Sequence, residues 1–409
     1  MQPLFKYILM NEKVFIAGIG IVSAIGFTVE ETLQSLRAGR HGVGSITHLE
    51  TTLKEQIPAA EIKKTNNELK QMLGLDINEP ITRTSLFGML AAREALTNSG
   101  IDIGKYRCGI VSATSVGGMD LSEHFYDDFN ADRTQGDLQN VKGHDCADST
   151  ERIANFLGIK DYMATISTAC SSSANSIMFG SRLIKNNVVD VVLAGGTDSL
   201  TRFTMNGFNT LMILDKEHCK PFDAKRVGLN MGEGSGFVLL VSEKIVSEML
   251  KKPLAEVKGY GNANDAYHQT ASSPDGQGAY LAMTTALAMS GLHPEDIDYI
   301  NVHGTGTSNN DLSEGIAMQR IFGDNVPLFS STKPFTGHTL GAAGGIEAVL
   351  SVLAIQHNLV YPNLNFSEQI PELNISPVTH LIENVNVRNV LSNSFGFGGN
   401  NSTLILSDC

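Results

Sequence analysis

The feature that most constrains this chain is a rhythm of short apolar runs alternating with helix-patterned stretches along nearly its whole length. "VFIAGIGIVSAIG", "CGIVSAT", "MATIS" and "VVDVVLAGGTDS" read as strands. "RTSLFGMLAAREALTNSG" has the helical period and ends on Gly100, and residues 150–157 and the stretch after residue 170 continue that pattern. Strands that lack polar alternation must be covered on both faces. The pattern therefore predicts an α/β chain with helices on both sides of its sheets. After residue 250 the rhythm restarts, with helices at "AYLAMTTALAMSGL", "LSEGIAMQRIFG" and "GAAGGIEAVLSVLAIQHN" and strands at "IDYINVHGTGT" and "VPLFSSTK". Two halves of similar design are predicted, residues 12–250 and 251–409, linked through the polar-ended "SEKIVSEMLKKPLAEV".

The chain has 409 residues, 42% of them hydrophobic, with a formal net charge of −13. That balance argues against nucleic acid as a partner, because phosphate binding needs concentrated Lys and Arg. No apolar run reaches the roughly 18 residues of a membrane span. The opening "MQPLFKYILM" lacks the pattern of a signal peptide, so cytoplasmic residence is expected. "GIGIVSAIG" misses the G-x-G-x-x-G spacing of a dinucleotide fingerprint.

Five cysteines are scattered, with no CxxC pair, which argues against a zinc site or a disulfide framework. One has unusual company. In "STACSSSANSI" Cys170 falls between a strand end and the helical spacing of Ala174, Ile177, Met178 and Ile184. The expected place is the first turn of a helix, where unsatisfied N–H groups and the helix dipole favour a thiolate. A free thiol has a pKa of about 8.5, so such placement suits a nucleophile.

Three further stretches each follow a strand. "NVHGTGTSNND" puts His303 just after an apolar run, and "SSTKPFTGHTLGAAGG" spaces Lys333 and His338 before a Gly/Ala-rich helix. "SNSFGFGGNNSTLIL" wraps Phe397 in glycines, where backbone approaches a ligand closely. Singly, each reads as a structural histidine, a surface charge or a turn. Together they supply a nucleophile, two imidazoles, a lysine and backbone N–H donors, the parts of an acyl-transfer site. Metal binding is the competing use of the histidines, but few carboxylates or thiols cluster with them.

On "TACSSS", "HGTGT", "STKPFTGH…GAAGGIEA" and "NSFGFGGNN", the chain resembles the β-ketoacyl-[acyl-carrier-protein] synthases of the thiolase superfamily, most closely the elongating type II class. The resemblance runs from about Val14 to Leu406. It implies the thiolase fold, a five-layered α-β-α-β-α sandwich from two similar halves, normally a dimer. It also implies roles. Cys170 takes the acyl group, while His303 and His338 face the malonyl thioester, with Lys333 beside the second histidine. The backbone N–H groups of Cys170 and Phe397 form the oxyanion hole, and the Phe397 ring gates the pocket. Asp311 and Glu314 support the lysine and its loop. Asn301, Glu347, Asn393 and Ser394 match positions that hold a structural monovalent cation in some members. Val116 and Phe208 belong to the acyl pocket, Val116 setting its length.

The implied reaction is a decarboxylative Claisen condensation, with no metal or redox cofactor, since the phosphopantetheine arm belongs to the acyl carrier protein. The partners implied are that carrier and a second ketosynthase subunit, in a homodimer or a heterodimer. Basic candidates for carrier docking are Lys63, Lys64, Lys70, Lys225 and Arg226. Two alternatives remain. A chain-length or scaffold subunit characteristically lacks the nucleophile, and a degradative thiolase carries a second catalytic cysteine near its C-terminus, where this chain has only Cys409. Departures from the family pattern are Ser173 after "CSS", the "GTGTSNND" loop, Asn400 after the paired glycines, and a polar, acidic stretch over residues 120–150. The loop looks like that of ketosynthases from specialised polyene pathways.

Overall fold

The computed structural model describes residues 12–409. The opening "MQPLFKYILM", read above as no signal peptide, lies outside the described residues. The strands are β1 (Val14–Ser23), β2 (Cys108–Ala113), β3 (Tyr162–Ile166), β4 (Val191–Asp198), β5 (Gly234–Ser242), β6 (Ala255–Asn264), β7 (Tyr299–Asn301), β8 (Leu328–Ser330), β9 (Leu359–Val360), β10 (Ile382–Glu383), β11 (Asn389–Gly396) and β12 (Asn400–Ser407). Ten of them join in the order β3-β2-β4-β5-β1-β6-β12-β11-β7-β8, and β9 pairs β10 separately.

That order reads the same from both ends. From β3 inward the pairings run parallel, parallel, antiparallel, antiparallel, ending at β1. From β8 inward they run parallel, parallel, antiparallel, antiparallel, ending at β6. The two five-stranded sets meet only where Phe15 and Ile16 of β1 face Glu256 and Ala255 of β6. A repeated topology that the sequence does not repeat marks the two halves.

The central strands are apolar because each face meets its own helical layer. In β5, Phe237, Leu239 and Val241 point to an outer core with Leu86, Phe87 and Leu90 of the helix Arg83–Ser99. Val238 and Leu240 point the other way, onto Ile177 and Ile184 of the helix Ser172–Lys185 and Ile346, Val349 and Leu353 of the helix Ala343–His357. β12 alternates likewise, with Leu404 and Leu406 in that central core. Its Ile405 faces Met283 and Met318 of the helices Gln277–Ser290 and Ser308–Phe322. Helices, sheet, helices, sheet, helices make five layers, with the two central helices sandwiched between the sheets. Each large side chain so buried contributes roughly 1.5–3 kcal/mol.

The central helix corrects one expectation. Leu340–His357 is long and apolar enough to cross a membrane, alone among the described residues, yet 89% of it is buried inside the fold. It is apolar all round because it is a core helix. The backbone is packed closely there. A Cβ at Gly236 of β5 would stand 2.4 Å from the N of Ile346, so only glycine lets the helix lie on the strand.

Candidate active site

β3 ends at Ile166, and the chain turns through Ser167–Ser171 into the helix beginning at Ser172. Ala169 takes φ +53, a left-handed conformation costing about 1–2 kcal/mol for a residue with a Cβ. This turn presents Cys170 two residues before the helix, outside the first turn expected from the sequence. The electrostatics differ from expectation too. Cys170 is only 4% exposed, and burial pushes its thiol up to about 12, against the pull of Lys333 and the backbone N–H groups of Phe397 and Cys170 itself. Desolvation wins over the helix end, so the resting sulfur is a thiol. Those two N–H groups, the donors expected for the oxyanion hole, both act to lower the thiol's pKa.

β11 delivers the second N–H. It runs into Gly396, whose added Cβ would meet the Thr168 carbonyl at 2.8 Å and Cys170 N at 3.3 Å. The next residues, Phe397–Gly399, form a tight turn with Gly398 at φ +80, whose N–H donates to the Gln269 carbonyl. The Phe397 ring stacks on Phe208, with centroids 5.6 Å apart and planes 17° from parallel.

The imidazoles stand edge to face, with centroids 5.5 Å apart. His338 Nε2 is 3.1 Å from Cys170 Sγ, and its Nδ1 accepts the Leu340 N–H at 3.2 Å. A backbone N–H can only donate, so Nδ1 holds the lone pair and Nε2 the proton. His303 is fixed the same way, with Lys333 Nζ 3.3 Å from its Nδ1. Burial, the Lys333 ammonium and, for His303, the neighbouring imidazole hold both rings well below the usual histidine range. Both are therefore neutral at pH 7, each with an Nε2–H for the cavity.

Lys333 belongs to His303, not to the second histidine as the resemblance implied; it donates to the His303 carbonyl and ring and to Glu347. The supporting acids are reassigned accordingly. Glu314 accepts His303 N at 2.8 Å and Gly304 N at 2.9 Å, while Asp311 accepts the N–H groups of Thr305, Gly306 and Phe222. Both hold the loop and neither touches the lysine; the lysine's counter-ion is Glu347. Sequence reasoning missed that pairing because Glu347 sits on an otherwise apolar helix, where a buried carboxylate is itself the signal of a buried cation.

The proposed cation set behaves differently. Glu347 gives one oxygen to Lys333 and the other to Ser394 Oγ, and Asn393 bonds Glu314 and Thr403. Asn301 is left with an unpartnered amide nitrogen, a donor. The oxygens of Glu347 and Asn393 are taken by protein donors, so these side chains do not converge free oxygens on a cation. Among the described residues no three His, Cys, Asp or Glu side chains are grouped to hold a metal.

A cavity of about 120 Å³ opens on Cys170, His303, His338, Phe208 and Phe397, with Thr305, Ser308 and Asn309 at its rim. Val116 is not on its wall. It lies half-buried after β2, with its N–H on the Asp198 carboxylate. Cys409 is exposed and away from the site. Ser173, a departure from the family pattern, accepts the Gly345 N–H at 2.7 Å and so ties the two central helices. Asn400 accepts from Ser171, Asn175 and Asn262 just behind the nucleophile turn. The basic docking candidates are largely spent: Lys63 pairs with Glu61, Lys64 with Glu68 and Lys225 with Glu368. Lys70 is buried on the carbonyls of Ile77 and Glu79, and the half-buried Arg226 donates to those of Thr307 and Ser308.

A buried thiol, two neutral imidazoles and paired N–H donors on a five-layered fold of two halves define an acyl-transferring enzyme of the thiolase fold. Comparison with known proteins gives the family. The β-ketoacyl synthase N-terminal domain family matches residues 11–244, and the C-terminal domain family residues 254–367. The 3-oxoacyl-[acyl-carrier-protein] synthase 2 of Staphylococcus aureus (strain COL) is 32% identical, over 97% of this chain and 98% of its own. That of Coxiella burnetii is 33% identical, over 97% and 99%. Among solved structures, the ishigamide ketosynthase/chain length factor superposes with a TM-score of 0.91 at 31% identity, over 97% of this chain and 99% of that one. A chain of the complex between the Xenorhabdus doucetiae ketosynthase ApeO and its chain length factor ApeC gives 0.85 at 31% identity, over the whole of both chains. The chain belongs to the β-ketoacyl synthase family.

Proposed function

We propose that this chain condenses an acyl group held on Cys170 with a malonyl thioester carried by an acyl carrier protein. The observation that carries this reading is the pair of neutral imidazoles, both fixed as Nε2–H donors beside a buried thiol. In the first half-reaction the thiol displaces the carrier's thiol from an acyl thioester. The exchange is proton-neutral, because the proton leaving Cys170 ends on the departing thiol. The carbonyl oxygen, charged in the transition state, lies where the Cys170 and Phe397 N–H groups point. In the second, the malonyl thioester loses CO₂, and its enolate oxygen accepts the Nε2–H bonds of His303 and His338. The enolate carbon attacks the acyl-cysteine and expels the sulfur, which regains a proton from solvent. The product is a 3-oxoacyl thioester two carbons longer. In this reading the protein needs no cofactor of its own and works in the cytoplasm.

The partners follow from the relatives. The ApeO structure holds a chain length factor, which supports a heterodimer with a related subunit. A scaffold subunit alone would have no use for Cys170 at 3.1 Å from His338, so this chain is the condensing member. The "SNN" rim of Ser308, Asn309 and Asn310, from the "GTGTSNND" loop, favours an unsaturated, polyene-type chain over a saturated one. The test is to incubate the protein with malonyl-carrier and a panel of saturated and 2,4-unsaturated acyl-carriers, read by mass spectrometry. Elongation by two carbons with CO₂ release is expected, and its absence with every acyl-carrier and every related subunit would refute the reading.

A further inference from the structure

Asp198 closes β4 and is fully buried, and no step above uses it. Its carboxylate gathers donors from two separate segments. Thr114 Oγ1 donates to Oδ1 at 2.5 Å and Ser115 N to Oδ2 at 2.9 Å, both from the loop that follows β2. Gly341 N donates to Oδ2 at 2.7 Å, from the turn that follows His338. A Cβ on Gly341 would lie 2.8 Å from that same oxygen, so the approach admits only glycine.

Between Gly341 and His338 lies Leu340, at φ +52. A leucine in the left-handed region costs about 1–2 kcal/mol, so something must hold it there. The turn has one local consequence of chemical weight. With Thr339 at φ −90 and ψ 27, the Thr339–Leu340 peptide points its N–H at His338 Nδ1, which forces the imidazole proton onto Nε2, the nitrogen facing Cys170. We propose that Asp198 is a positioning residue for the condensation: by pinning the Gly341 N–H it holds Leu340 in its strained turn and so fixes the tautomer of His338. Without that anchor Leu340 relaxes to negative φ by rotation of the Thr339–Leu340 peptide plane, and that rotation carries the Leu340 N–H off Nδ1. The ring is then free to carry its proton on Nδ1 and to turn a lone pair toward the enolate, which repels it. Through Thr114 and Ser115 the same carboxylate locks this turn to the loop bearing Val116.

The inference rests on the enolate-stabilising role of His338 given above, and the measurements keep the two apart. Asp198→Ala is compared with wild type in each half-reaction. Decarboxylation of malonyl-carrier is expected to fall about tenfold or more in kcat with KM little changed, while acetyl transfer to Cys170 stays within about threefold. Asp198→Asn, which keeps an acceptor oxygen, is expected to recover most of the loss. Nitrogen-15 spectra of histidine-labelled protein are expected to show His338 as the Nε2–H form in wild type and to lose that signature in Asp198→Ala. Equal losses in both half-reactions, no loss in either, or an unchanged tautomer would overturn the proposal. If Asp198→Ala does not fold, Asp198→Ser enters the same assays, and failure of both assigns Asp198 a structural role only. If wild type itself does not decarboxylate malonyl-carrier, the His338 role falls, and the tautomer spectra still judge Asp198.

Discussion

At the scale of single residues, the chemistry turns on which group bears a proton. Cys170→Ala is expected to abolish acyl-enzyme formation; an acyl adduct on that variant by intact-protein mass spectrometry would move the nucleophile elsewhere. Burial raises the thiol to about 12, so the thiolate fraction should climb tenfold per pH unit through neutrality. Alkylation of Cys170 by iodoacetamide is therefore expected to rise steadily from pH 7 to about 10, with no plateau. A plateau near pH 7 would show that the helix end governs the sulfur after all. The imidazoles answer to the other half-reaction. His303→Ala and His338→Ala are expected to lower malonyl decarboxylation roughly 10²–10³-fold and self-acylation far less, because each removes a donor to a charge formed only after acylation. Comparable losses in both would make these rings activators of the thiol. Lys333 is buried on Glu347, and Lys333→Ala strands that carboxylate. A loss of about 3–5 kcal/mol in denaturant unfolding is expected, and recovery in the double variant Lys333→Ala/Glu347→Ala checks that the stranded charge is the cause.

At the scale of elements, the sequence was legible where one period or one cap decides the structure. The helix read to Gly100 ends there, Gly100 sitting at φ +69. The strands β1, β2 and β4, read as covered on both faces, are buried along their whole length, whereas β3, read the same way, lies partly open at the sheet edge. Residues 120–131, read as polar, lie in a helix with no buried residue. The four motifs meet at one cavity because each follows a strand ending on the same side of the sheets. What local pattern could not show were contacts made across long separations: Lys333 with His303 rather than His338, and Glu347 with Lys333. Burial of Cys170 depends on every element around it, so the thiolate reading, sound for an exposed helix end, failed. Glycines at crossing points carry a prediction here. Gly396→Ala places a methyl against the Thr168 carbonyl and Cys170 N. It is expected to displace the Phe397 N–H and to slow self-acylation by about 10²-fold or more, with thermal stability changed little beside that loss. A wild-type acylation rate would show that the two N–H groups do not form the oxyanion hole.

At the scale of the whole molecule, the mirrored strand order explains why one site needs both halves. β3 of the first half hands over the nucleophile, while β7, β8 and β11 of the second hand over His303, Lys333 with His338, and Phe397. That duplication was only a rhythm in the sequence, since topology is kept by packing rules that many sequences satisfy. The same order leaves β3 and β8 at the ends of the sheet. β3 is the more open to pairing: all five of its residues are partly or fully exposed, Met163 at 48%. An apolar edge strand one turn from the nucleophile is a template for another chain. We expect β3 to form the seam with the second ketosynthase subunit, whether a copy of this chain or a related one. Met163→Asp places a charge in that seam while pointing away from the β2 ladder's buried face. Native mass spectrometry is expected to give a two-chain mass for wild type, alone or co-expressed with its partner, and a one-chain mass for Met163→Asp. A two-chain mass that survives the substitution would place the interface on another surface.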